Sequence, residues 1–258
     1  MSAFLVLLTV VAQLLLWDFW LKFLQALSRP LARRHLDRHV SGMARRLINL
    51  VAFYSKLDFE LDRSLVTDVP DPCVVCANHQ SVADIAIVLA ALERHRVRFV
   101  AKQELSRGFP AVSEVLRIQG HALINRKGDF RKVSGQLKEL GKQIDRGVTP
   151  ALFPEGTRSR DGSVRTFHAG GVRTILSGRT APITAVAVDG GYRFVSLKDL
   201  GGRLSSFVYR VKLVGVFNHD GTKGSIQNAV RGAQDAITDQ IEVWRKQSEE
   251  GPAKKEDA

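Results

Sequence analysis

Two cysteines among 258 residues, Cys73 and Cys76, are too few to staple a secreted scaffold and fit a reducing compartment. Their C-x-x-C spacing lies inside an apolar run, has no second pair and opens no helix, so it reads as two buried small side chains rather than a redox motif. A zinc site completed by His79 would need three ligands on one strand, where they point in different directions. Glycine-rich nucleotide fingerprints are missing, as are zinc fingers, helix-turn-helix signatures and aromatic RNA-binding motifs. Acidic residues are the minority, with 26 Asp and Glu against 38 Lys and Arg, giving a formal charge of +12. That excess attracts polyanions, but without a base-reading motif any nucleic-acid binding is nonspecific and steeply salt-dependent. The 45% apolar content excludes a disordered chain and suffices for one sizeable core or two small ones, with one principal domain the default.

Uncharged residues run from Ala3 to Trp17, and aromatics continue the run past Asp18 and Lys22 as Phe19, Trp20 and Phe23. No positive residue precedes it and no small-residue cleavage site follows, so a retained anchor is expected rather than a cleaved signal. Extended to Leu27 it is long enough to span hydrocarbon, and monotopic insertion fits equally. Arg29, Arg33, Arg34, Arg38, Arg45 and Arg46 follow, opposed only by Asp37, and such juxtamembrane charge marks the cytoplasmic side and an anionic membrane surface. Met43, Leu47, Leu50, Val51 and Tyr54 recur at helical spacing, which predicts a second helix packed on the first or lying in the interface.

Beyond Asp71, short apolar runs alternate with amphipathic stretches. Cys73–Ala77, Val97–Ala101, Ala122–Ile124, Thr149–Phe153 and Ile183–Val188 read as strands, and Ser81–Glu93, Phe130–Arg146 and Gly170–Leu176 as helices. The β-α-β order with uninterrupted apolar strands predicts an α/β fold, a central mostly parallel sheet flanked by helices and preceded by a membrane-associated helical pair. Val208–Val216, with Arg210 and Lys212 on one side, reads as a sheet-edge strand. Ile226, Val230, Ala233, Ile237, Ile241 and Trp244 mark a closing amphipathic helix. The expected organisation is a membrane-associated segment at 1–57, an α/β domain at 58–247 and a charged, disordered tail at 248–258.

The run Asn78-His79-Gln80-Ser81-Val82-Ala83-Asp84 falls where a buried strand gives way to a helix, where open α/β sheets place their sites. His79 is the natural proton acceptor near neutral pH, and Asp84 is placed to bond one ring nitrogen and leave the other free. Ser81 with Asp84 also reads as a capping box, so these residues alone leave catalysis and capping both open. Ser81 has no glycine-flanked elbow and is better placed as a cap than as a nucleophile. Phe153-Pro154-Glu155-Gly156-Thr157-Arg158-Ser159 outlines an anion-binding loop: Arg158 matches phosphate, Gly156 lets backbone approach, and Thr157 and Ser159 add donors. Gly120-His121-Ala122-Leu123-Ile124-Asn125-Arg126 is a third polar strand end, with Arg126 as a second phosphate contact.

These blocks, N-H-x-x-x-x-D, G-x-x-x-I-x-R and F-P-E-G-T-R-S in order, together with Val100-Ala101-Lys102-Gln103-Glu104-Leu105, resemble the glycerolipid acyltransferase family of the lysophosphatidic acid acyltransferase type over about residues 70–190. The resemblance implies transfer of a fatty acyl group from an acyl-CoA or acyl carrier protein thioester to the free hydroxyl of a lysophospholipid. The typical acceptor is 1-acyl-glycerol-3-phosphate, which yields phosphatidic acid. It implies His79 as general base, Asp84 as its orienting partner and no covalent intermediate. Lys102, Arg126, Glu155, Gly156, Thr157 and Arg158 then surround the acceptor phosphate, and neither a metal nor a separate cofactor is called for. Two departures touch the substrate surroundings: Pro182-Ile183-Thr184-Ala185-Val186 lacks the second proline of the family's P-I-V-P-V, and His168 stands where Lys is common. Rival readings are a different acceptor, such as glycerol-3-phosphate or a lyso-aminolipid, and a non-enzymatic basic protein that binds membranes or nucleic acid.

Overall fold

Small and branched side chains fill three short runs, Val74–Ala77, Thr149–Leu152 and Ile183–Asp189, and every residue in them is buried, as strands covered on both faces require. The computed structural model describes residues 3–55, 58–62, 69–125, 128–193 and 208–249. Among them the strands are β1 (Asp58–Asp62), β2 (Val74–Ala77), β3 (Val97–Lys102), β4 (Ala122–Ile124), β5 (Thr149–Leu152), β6 (Ile183–Asp189) and β7 (Val208–Phe217). They form one sheet in the order β1-β7-β6-β2-β5-β3-β4. All neighbours are parallel except β6 and β7.

The helices are α1 (Ala3–Leu27), α2 (Arg29–Ser55), α3 (Ala83–Ala91), α4 (Val112–Gln119), α5 (Phe130–Lys142), α6 (Ala169–Ile175) and α7 (Lys223–Glu249). Side chains alternate across the pleat, so each sheet face carries its own apolar cluster. On one face Val40, Ala44 and Ile48 of α2 join α3 over Val75 and Phe99. On the other, Leu137 and Leu140 of α5, Val172 and Ile175 of α6 and the apolar side of α7 cover Val74, Ile183 and Ala185. Cys73 belongs to the first cluster and Cys76 to the second, so the two thiols open onto opposite faces. Burial pushes Cys73 up to about 11 and raises Cys76 further still, which leaves both unreactive.

Alpha 1 folds back on α2: Val6 and Val10 near its start pack against Leu47, Leu50, Val51 and Tyr54 near the end of α2. Midway, Asp18 accepts a hydrogen bond from the Ala111 N–H at 2.9 Å and pairs with Lys22. The charge that interrupts the apolar run is thus turned toward the α/β body. The opposite side exposes Leu8, Leu15, Leu16, Phe19, Trp20, Phe23 and Leu27.

The structure corrects two sequence expectations. Strand β7 is internal, because β1 pairs with it in parallel register and takes the edge. The Arg210 charge that suggested an edge sits opposite Glu60, and the guanidinium meets that carboxylate at 2.9 Å. It is a cross-strand ion pair, and β1 itself is short and alternates charge with the core-facing Phe59 and Leu61. The closing helix runs on through Ser248 and Glu249, because Ser248 Oγ donates to the Trp244 carbonyl inside it, while residues 250–258 lie outside the described residues.

Candidate active site

The five parallel strands β2 to β6 end on one edge, and His79 stands just past β2 there. Asn78 fixes the exit: its side chain donates to the Val188 carbonyl and accepts from the Val188 N–H, both at 2.8 Å, which ties the end of β2 to β6. The His79 ring stacks on Phe153 with centroids 4.0 Å apart and planes 12° apart. Its Nδ1–H donates to Asp84 Oδ2 at 2.7 Å. That bond places the proton on Nδ1 and leaves Nε2 as an acceptor, on a side chain that is 16% exposed. Chemically, the arrangement is a base held by an orienting carboxylate and open to solvent.

Asp84 is fully buried in the first turn of α3. Oδ2 also accepts from the backbone N–H groups of Gln80 at 2.7 Å and Ser81 at 2.8 Å, and Oδ1 accepts from the Tyr209 hydroxyl. Capping and contact with the imidazole therefore coincide: one carboxylate satisfies the turn's orphan donors and bonds the His79 ring. Gln80, buried beside it, donates to Asp189 Oδ1 at 3.0 Å and to the Gly162 carbonyl at 3.2 Å, tying the turn to β6 and to the loop after β5.

The loop after β5 is stitched to His79 from both sides. The Ser159 N–H donates to the His79 carbonyl at 2.7 Å, and the His79 N–H donates to Glu155 Oε1 at 3.0 Å. Gly156 turns between them at φ +72°, a conformation that side-chain-bearing residues resist. Thr157 and Arg158 are exposed on this loop, next to the residue that binds His79. Glu155 points the other way. It is buried and pinned to the backbone N–H groups of His79 and Arg165, so the structure places it as a brace for the loop rather than as a group presented to a phosphate.

Burial pushes the Glu155 carboxyl up to about 8, against an ordinary value of 4.5, despite the two backbone donors that act in the opposite direction. Between those values the folded chain keeps a proton that the unfolded chain releases, so stability falls as pH rises across this window. Melting temperature is expected to drop between pH 5 and 8 by about a few degrees, and the Glu155→Gln chain, neutral throughout, is expected to flatten that slope. Thermal scans of the two proteins across this range check it; parallel slopes would sink the assignment.

Register places the remaining cations. Phe99 lies opposite Ala151, which lies opposite Val75, so Lys102 sits level with Asn78 but two strands away, about 10 Å across the sheet. Lys102 is exposed and forms no ion pair with a described residue. Arg126 lies outside the described residues. His121, five residues before it, is a core group: Nδ1 accepts the Phe99 N–H at 2.9 Å, and burial drives it down to about 3, so it stays neutral. Sequence reasoning missed Tyr209, Gly191 and the stacking role of Phe153. The first two come from segments that carry no motif, and Phe153 was visible only as the end of an apolar strand.

An imidazole and a carboxylate thus meet at the carboxyl edge of a mostly parallel sheet, braced by a glycine-turned Glu-Gly-Thr-Arg loop. Residues 63–189 match the family model described as Acyltransferase, and this segment is a domain of that family. Similar curated proteins include the chloroplastic 1-acyl-sn-glycerol-3-phosphate acyltransferase BAT2 of Brassica napus, 29% identical over 46% of this chain and 33% of that protein. The lyso-ornithine lipid O-acyltransferase of Rhizobium meliloti is 31% identical over 49% of this chain and 39% of its own length. The chain thus spans between a third and two fifths of the length of these two relatives. The crystal structure of the 1-acyl-sn-glycerophosphate acyltransferase PlsC from Thermotoga maritima shares the fold, with a TM-score of 0.72 over 94% of both chains at 21% identity.

Proposed function

We propose that the protein transfers a fatty acyl group from an acyl-CoA or acyl carrier protein thioester to the free hydroxyl of a lysophospholipid. The observation that carries this reading is the His79–Asp84 pair, with Nδ1 engaged at 2.7 Å and Nε2 bonded to none of the described residues. Nε2 takes the proton of the acceptor hydroxyl as its oxygen attacks the thioester carbonyl. The tetrahedral oxyanion then collapses, the carbon–sulfur bond breaks, and the leaving thiolate recovers the proton from the imidazolium. Asp84, bonded to Nδ1, stabilises the transient imidazolium.

Arg158 is the guanidinium in place to hold the acceptor's anionic headgroup, because its loop is bonded to the His79 backbone and its side chain is exposed. Arg126, Lys102 and Thr157 complete that headgroup set in this reading. The domain faces the cytoplasm with the outer side of α1 dipped into the leaflet. Support comes from the exposed Leu15, Leu16, Phe19 and Phe23, and from Arg29, Arg34, Arg38 and Arg46 exposed on α2. Alpha 1 is long and apolar enough to cross a bilayer, yet its contacts with α2 along its length and with Ala111 favour lying in the interface.

A second acceptor reading rests on the similarity to the Rhizobium meliloti lyso-ornithine lipid O-acyltransferase, and on His168 standing at the start of α6 where the family commonly has Lys. One experiment separates the two. Full-length protein in detergent is offered a labelled acyl thioester with 1-acyl-glycerol-3-phosphate, glycerol-3-phosphate or a lyso-ornithine lipid. The lysophosphatidic acid is expected to be acylated fastest, and Arg158→Ala is expected to raise its KM about tenfold or more while leaving thioester hydrolysis unchanged. Turnover confined to the phosphate-free acceptor would overturn the first choice.

A further inference from the structure

The carboxylate that orients His79 has a second buried contact, which comes from beyond the acyltransferase-domain match. We propose that Tyr209 is a positioning residue of the active site, and that its hydroxyl holds Asp84 Oδ1 so that Oδ2 faces the imidazole. Tyr209 is the second residue of β7, and because β7 runs antiparallel to β6 its beginning lies at the edge where β2 ends. Its hydroxyl donates to Asp84 Oδ1. The residue is 2% exposed.

Three observations make this contact part of the site rather than incidental packing. First, it occupies the carboxylate oxygen that neither His79 nor the Gln80 and Ser81 N–H groups use, so the carboxylate is engaged at both ends and cannot rotate. Second, the chain closes over the pair. A Cβ on Gly191 would lie 2.4 Å from the Tyr209 hydroxyl oxygen and 3.1 Å from Asp84 Oδ1, so only glycine fits there. Third, the phenol remains a donor, because burial and the neighbouring Asp84 charge push it well above its ordinary value. Among the described titratable groups, Glu155 from the loop after β5 faces the Asp84 charge, and Asp84 and Asp189 from β6 face the Tyr209 phenol.

A hydrogen bond to a carboxylate spreads its charge and makes it a weaker acceptor toward the imidazole. Loss of the phenol therefore concentrates charge on Asp84 and raises the affinity of His79 for its proton, while the carboxylate loses the contact that fixes its orientation at Oδ1. The inference rests on His79 acting as the general base. Its test compares full-length wild-type, Tyr209→Phe and a chain with 3-fluorotyrosine at position 209, whose more acidic phenol is a stronger donor. The substrates are palmitoyl-coenzyme A and 1-oleoyl-glycerol-3-phosphate, or whichever lysolipid the panel shows is turned over fastest.

For Tyr209→Phe the acid limb of kcat/KM is expected to move up by about half to one pH unit, with kcat about tenfold lower and KM changed less than about twofold. With 3-fluorotyrosine the limb is expected to move down. A merely structural role lowers the active fraction and leaves the limb where it is in both proteins, and that result overturns the proposal. Should Tyr209→Phe fail to fold, the fluorinated chain decides alone. A wild-type protein without acyl transfer sinks the functional reading itself. A wild-type protein that is active and His79-dependent, with a limb indifferent to both changes, sinks only the assignment of Tyr209.

Discussion

Replacing His79 with Ala is expected to lower acyl transfer by a factor of about 10² to 10⁴ while leaving the fold and its membrane association in place. The first half follows from the proposed chemistry: a lipid hydroxyl is a poor nucleophile until its proton has somewhere to go, and Nε2 is the acceptor in the proposed mechanism. The second half follows from the bonding around Asp84. After truncation its carboxylate keeps the Gln80 and Ser81 N–H groups and the Tyr209 hydroxyl, so no buried charge is stranded. The links from Glu155 and Ser159 run to the His79 backbone and survive as well.

For that reason His79 is a more informative position than Asp84. Truncating Asp84 strips the acceptor from four donors at once and confounds chemistry with folding. The measurement is single-turnover transfer of a labelled acyl chain, with thermal unfolding of the same protein as its control. Undiminished turnover in a folded His79→Ala chain would exclude His79 as the base and return the protein to the rival class of basic membrane-binding proteins.

How much of this could be read beforehand depended on whether a feature was local in sequence. Strands β2, β5 and β6 were legible because full burial leaves an unbroken apolar run. The approach of His79 to Asp84 was legible because both lie on one strand-to-helix turn. Strand β1 was not, because an alternating run such as Asp58-Phe59-Glu60-Leu61-Asp62 becomes a strand only when β7, some 150 residues later, supplies its partner. Helix α4 was missed too, since it is a short element of eight residues that carries only a few apolar positions.

Glu155 shows the same limit within the site. Its motif suggested the acceptor phosphate, but the direction of its side chain was decided by the His79 N–H, 76 residues away in the chain. Asp37 is the clearest case. In the sequence it is the lone acid among six arginines, and nothing local distinguishes a solvated surface charge from what it is, the partner of a guanidinium on β3.

Replacing Asp37 with Ala is expected to cost about 3 to 5 kcal/mol of stability, the largest single loss among the substitutions considered. Arg98 is fully buried; its Nε donates to the Gln119 carbonyl at 2.8 Å and its Nη1 to the Val97 carbonyl at 2.9 Å, but among the described residues only Asp37 balances its charge. Burial pulls the Arg98 guanidinium down and the Asp37 carboxylate pulls it back up. Without that carboxylate a charge remains in the interior, and Arg96 and Gln119, which also bond Asp37, lose their acceptor. Because Asp37 lies on α2, the same pair fastens the helix that carries α1 to the sheet that carries His79, fixing the apolar face relative to the site. For a chain of this size the loss corresponds to a fall in Tm of about 6 to 20 °C. The Asp37→Met, Arg98→Met double variant is expected to recover most of it, since an apolar pair removes the stranded charge along with its partner. A drop below about 1 kcal/mol for Asp37→Ala would show that water, entering where Asp37 is 16% exposed, can replace the carboxylate, and that α2 is held by its apolar contacts alone.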